Sequence, residues 1–100
     1  MPLTIVQDCE YMDDDWWEWS VWIEGTEQEL DDIKSVEYTL HPTFPNPVRR
    51  IEDRASKFRL KTGGWGGFTI YARVLNNDGR TTPLEHELVL YYRDGTATSA

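Results

Sequence analysis

The chain has 100 residues, of which 39% are hydrophobic and 13% aromatic, enough to fold as a single domain over residues 1–100 and too many for a disordered segment. Its 10 basic and 18 acidic residues give a net charge of −8, which argues against a phosphate-tracking nucleic-acid binder and favours a basic or neutral partner. The one cysteine, Cys9, excludes an internal disulfide and cannot build a zinc site with only His41 and His86; without an apolar run long enough for a signal peptide or a membrane span, a reducing, cytoplasmic setting is expected.

Period-two alternation runs through the chain, and no segment carries a convincing helical pattern. Residues 4–6 are a candidate edge strand. Trp17, Trp19, Val21 and Ile23 then alternate with Glu18, Ser20, Trp22 and Glu24, which predicts a half-buried strand that stops at Gly25. Residues 26–32 are short, acidic and turn-like. A second strand places Val36, Tyr38 and Leu40 inward and Ser35, Glu37 and Thr39 outward, and runs straight into His41. The stretch 41–49, HPTFPNPVR, reads as a stiff loop, because Pro42, Pro45 and Pro47 remove three backbone donors and Asn46 precedes a proline.

A short strand is expected over 56–61, where Phe58 and Leu60 alternate with charged residues, ahead of the block 63–68, GGWGGF. The clearest strand follows, with Phe68, Ile70, Ala72 and Val74 on one face, closed by a turn at Asn77, Asp78 and Gly79. Leu84, His86, Leu88 and Leu90 share one face of the next strand, with His86 read as a satisfied core or edge histidine. After Arg93 the chain becomes a small polar tail. Five to seven short strands with no helix to cover a parallel sheet predict an all-β fold, an immunoglobulin-like β-sandwich of antiparallel strands rather than a closed barrel.

Two breaker-rich aromatic loops at one end of such a sandwich are candidate functional elements. Glycines around Trp65 let its indole stand clear of the backbone, and Phe44 offers a second ring from the proline loop. Together with free amides and the Thr43 hydroxyl, these rings could form a slot for a flat, weakly polar group. Equally, Trp65 and Phe44 could plug the end of the sandwich, with protein contacts made elsewhere, through Trp16 or Trp22. His41 and Thr43 lie two apart in an extended segment, a spacing that does not by itself make a base and nucleophile pair, so no catalytic activity is expected. No glycine-rich loop opens a helix, and no cofactor is implied.

Residues 36–49 (VEYTLHPTFPNPVR), 64–68 (GWGGF) and 86–90 (HELVL) resemble the YEATS domain family in order and spacing, over residues 17–90 and most closely in its prokaryotic branch. The resemblance implies a non-enzymatic reader with an immunoglobulin-like fold that binds an acylated lysine, acetyl or crotonyl, between two loops. It implies that His41, Thr43 and Phe44 form one wall, that Trp65 and Phe44 sandwich the acyl amide, and that the backbone at Trp65 and Gly66 donates to its carbonyl. Gly64 would make room and Phe68 would line the back. The implied partner is an acylated-lysine protein or peptide, basic where the chain is acidic. Gly67 stands where many relatives carry an acidic residue. The remaining alternative is a protein-interaction or structural module of a prokaryotic conflict or signalling system with no acyl-lysine binding.

Overall fold

In a computed structural model, which describes residues 3–97, the strands in chain order are β1 Thr4–Tyr11, β2 Trp17–Glu24, β3 Ile33–Thr39, β4 Val48–Ile51, β5 Leu60–Gly64, β6 Phe68–Asn76 and β7 Thr81–Leu88. A short helix, α1 Glu27–Asp31, joins β2 to β3. One antiparallel sheet has the order β1-β2-β5 and the other β4-β3-β6-β7, an immunoglobulin-like sandwich. Trp17, Trp19, Val21 and Ile23 from the first sheet meet Val36, Tyr38, Ile70 and Val74 from the second, all buried. Removing each large apolar side chain from water contributes roughly 1.5–3 kcal/mol. The inward faces of β2 and β6 are those that the alternation predicts.

Several expected elements differ. Residues 26–32 hold a helix rather than a turn: Thr26 accepts from the Glu29 amide at 3.1 Å, and the Glu29 carboxylate accepts from the Thr26 amide at 2.8 Å. This reciprocal cap satisfies donors that a helix this short leaves open. β1 extends to Tyr11, well past residue 6, because its polar inward position Gln7 is hydrogen-bonded: it donates to the Val89 carbonyl at 2.6 Å and meets His86 Nε2 at 2.6 Å. A register shift between Ile33 and Ser35 turns Ser35 inward, where the alternation places it outside.

The proline loop ends at Pro47, not Arg49, because β4 begins at the first residue after the last proline. The strand expected over 56–61 is displaced toward the C-terminus. Residues Arg54–Ser56 form a 3-10 turn, Lys57 and Phe58 adopt left-handed backbone at φ 60° and 59°, and β5 then runs through both Gly63 and Gly64. Phe58 and Leu60 are nonetheless buried, as their alternation suggests. β7 starts at Thr81 and ends at Leu88; it is an edge strand, so Pro83 fits within it. Leu84 and His86 are only half-buried there, while Leu88 and Leu90 are core.

Strand pairing positions both loops. Thr39 at the end of β3 lies opposite Tyr71 of β6, and Gly64 at the end of β5 lies opposite Trp17 of β2. The connection 40–47, the connection 65–67 and the β1–β2 turn therefore meet at one end of the sandwich. No helix among the described residues is long and apolar enough to cross a membrane.

Candidate functional site

The loop 41–47 is stiffened from within. The Arg49 guanidinium donates to the carbonyls of Asn46 at 2.9 Å and Pro45 at 3.0 Å, and the Leu40 amide donates to the Pro47 carbonyl at 2.7 Å. Asn46 takes the left-handed turn conformation, φ 51°, between two prolines. This scaffold brings His41 Nδ1 to 2.9 Å from Thr43 Oγ1 and 3.2 Å from the Thr43 amide. The two side chains therefore do meet, because the backbone curls back on itself where their spacing alone left the matter open. A backbone N–H can only donate, so Nδ1 is an acceptor and the neutral ring carries its proton on Nε2. The Thr43 hydroxyl then points its proton at Nδ1, leaving oxygen lone pairs free to accept.

Phe44 turns inward from the same loop. Its ring lies 5.3 Å from that of Phe68 and 6.2 Å from that of Trp19, while His41 meets Phe68 edge-on at 6.1 Å. Gly64 permits this packing: a Cβ there would sit 3.3 Å from Phe44 Cζ and 3.4 Å from Trp19 Nε1. That indole nitrogen is buried with no hydrogen-bond partner, so the ring end of Phe44 and the glycine backbone enclose an unused donor.

Trp65 behaves differently. It is 67% exposed, with no ring partner among the described residues, and so does not plug the sandwich. Phe44 does pack on the core as a partial plug. The amides of Trp65 and Gly66 donate to no acceptor among the described residues.

All seven residues singled out from the sequence, His41, Thr43, Phe44, Gly64, Trp65, Gly66 and Phe68, line one cavity of about 230 Å³. Gly67, which was not among the residues singled out, lines it too. Apart from His41, no lining residue is titratable, so the cavity suits a neutral, largely apolar guest with a few polar atoms. Trp22, the other aromatic considered for contacts, is covered: Arg59 stacks on its ring at 4.7 Å and its Nε1 donates to Glu24 at 2.8 Å.

Solved structures share this architecture. The Yaf9 YEATS domain recognising an H3K122suc peptide is 26% identical, with a TM-score of 0.64 over 96% of this chain and 72% of that one. The Yaf9 YEATS domain bound to H3K27ac superimposes with a TM-score of 0.70 over 98% of this chain and 82% of that one, at 23% identity. Among curated proteins, the AF-9 homolog of Saccharomyces cerevisiae is 43% identical over 58 residues, 56% of this chain and 25% of its own length. Subunit 14 of transcription initiation factor TFIID from Schizosaccharomyces pombe is 34% identical over 82 residues, 77% of this chain and 27% of its own. The chain thus spans about a quarter of the length of these curated relatives. The prokaryotic YEATS domain profile matches residues 17–89, from the first core tryptophan to one residue past the last strand, and the chain belongs to that family.

Proposed function

We propose that this chain is a non-enzymatic reader that holds an acylated lysine in the cavity between loops 41–47 and 65–67. The observation that carries the reading is the polarity of the cavity wall. A secondary amide offers one N–H and one C=O; Thr43 Oγ1 has free lone pairs for the first, and the unpaired amides of Trp65 and Gly66 suit the second. The exposed indole of Trp65 and the ring of Phe44 bound the space where the planar amide would lie. Stacking of that kind adds about 0.5–1.5 kcal/mol beyond area burial, and each net hydrogen bond about as much.

The His41–Thr43 contact is read as amide recognition rather than catalysis, because the Thr43 amide already shares the Nδ1 lone pair that a general base would need. A relative supports the ligand class: the Yaf9 YEATS domain recognises a succinylated H3 peptide. The net charge of −8 suits a basic sequence around the modified lysine.

Titration with acetyl-lysine and crotonyl-lysine peptides is expected to change Trp65 fluorescence saturably, with no change for the unmodified peptide. Absence of any response at millimolar acylated peptide overturns the reading.

A further inference from the structure

Successive residues of a strand point to opposite faces. At the end of β5, Gly64 faces inward to Phe44 and the cavity, while Gly63 faces outward to Trp16. The Nε1–Cζ2 edge of the Trp16 indole abuts Gly63: a Cβ there would fall 2.9–3.2 Å from its Nε1, Cζ2 and Cε2 atoms. So a ring is held against bare backbone at the residue that precedes Gly64, itself part of the cavity lining, yet Trp16 remains 46% exposed. Trp65, two residues further on, is the neighbouring exposed aromatic.

The charges beside that ring decide what it fits. Glu18 lies opposite Gly63 across the β2–β5 pairing and hence on the same outer face, with only a long contact of 4.0 Å to Lys61 Nζ. In the β1–β2 turn, Asp13 is paired with Arg93 at 2.9 Å and Asp15 accepts from the Tyr92 hydroxyl at 3.1 Å. Asp14 is exposed with no partner among the described residues. An aliphatic guest would leave these carboxylates unused, whereas a guanidinium or ammonium satisfies both the ring face and the acids.

We infer that Trp16, with Asp14 and Glu18, forms a subsite for an arginine or lysine side chain of the same peptide whose acylated lysine enters the cavity. The inference rests on the proposed reading of the cavity and adds sequence selectivity to it. Trp65 lies two residues beyond Gly63, one past the end of β5, so their backbones are at most about 7 Å apart, which an extended peptide covers in about two residues. The basic residue therefore lies one or two positions from the acylated lysine.

The test compares labelled acyl-lysine peptides by fluorescence anisotropy, one set with arginine within two positions of the modified lysine and one with alanine there. Arginine should tighten binding roughly three- to tenfold at low salt, and less as salt rises. In Trp16→Ala, and in the Asp14→Asn, Glu18→Gln double variant, the advantage should vanish while the alanine peptide binds as it does to the wild type. Thermal melts verify that the variants are folded. Equal binding of the two peptides by the wild type, or equal weakening of both by Trp16→Ala, overturns the subsite and leaves the cavity reading standing. If neither peptide binds, both the subsite and the cavity reading are overturned.

Discussion

His41 Nδ1 accepts from both the amide and the hydroxyl of Thr43, at 3.2 Å and 2.9 Å, so one imidazole fixes the direction of the hydroxyl that faces the cavity. Thr43→Val keeps the shape and removes the acceptor. If Thr43 Oγ1 takes the amide N–H of the ligand, the variant should bind an acyl-lysine peptide about 5–10-fold more weakly, while Thr43→Ser stays near wild type. Thr43 is exposed, so its melting temperature should barely change. Calorimetric titration of the three proteins decides this; equal affinities would remove Thr43 from the site.

Gly64 offers a steric test of the opposite wall. Its backbone is ordinary strand, so alanine meets no conformational barrier, but the new methyl would press on Phe44 Cζ at 3.3 Å and Trp19 Nε1 at 3.4 Å. Phe44 is the neighbour with room to give, and it gives by tilting toward the cavity. Gly64→Ala should therefore weaken acyl-peptide binding several-fold for a stability cost of about 1 kcal/mol. Wild-type affinity in a folded Gly64→Ala protein would show that the position of Phe44 does not matter to the ligand.

Much of this architecture is legible in the residues, and the exceptions share a cause. Trp17, Trp19, Val21 and Ile23 reveal their strand because side chains of one chemistry recur every second residue. β1 is harder to read because its inward Gln7 is polar, and its partners, His86 and Val89, lie about eighty residues away. α1 is too short for periodicity, yet the Thr26–Glu29 capping pair was a readable local signal. In the site, proline, glycine and aromatic residues mark the two loops, but the meeting of Gly64 with Phe44 depends on β5 pairing with β2, which no local pattern shows. The left-handed Lys57 and Phe58 are likewise held by distant contacts.

One of those contacts is testable through stability. The Tyr38 hydroxyl, buried in the core, donates to the Phe58 carbonyl at 2.7 Å and so anchors the turn that launches β5. Tyr38→Phe leaves that carbonyl buried without a partner, a loss of about 1–3 kcal/mol. For a domain of this size the melting temperature should fall by about 4–8 °C per kcal/mol. Burial also pushes the Tyr38 phenol well above its usual range. Its neutral form is thus favoured by folding, and the associated stability is lost only as alkaline pH rises through the raised value. A melt unchanged by Tyr38→Phe would show that the turn holds without this bond.

The link between β1 and β7 should make stability sensitive to mild acid. His86 Nε2 lies 2.6 Å from Gln7 Oε1, which also accepts from the Val89 amide at 3.2 Å, so the ring donates through Nε2 and is satisfied while neutral. Burial lowers the His86 pKa below its ordinary value, and the nearby Glu87 carboxylate offsets that only in part. A histidine with a depressed folded-state pKa favours the fold in its neutral form. Its contribution is therefore complete above the unfolded value, about 6.5, and is lost as pH falls through the lower folded value. Melting temperatures measured from pH 7.5 down to 5 should decline in the wild type and decline less in His86→Gln, which lacks the titrating ring. The carboxylates that are stabilised in the fold, Glu24 and Glu29 among them, titrate below this window and should affect both proteins alike. Parallel profiles for the two proteins would assign any acid sensitivity to groups other than His86.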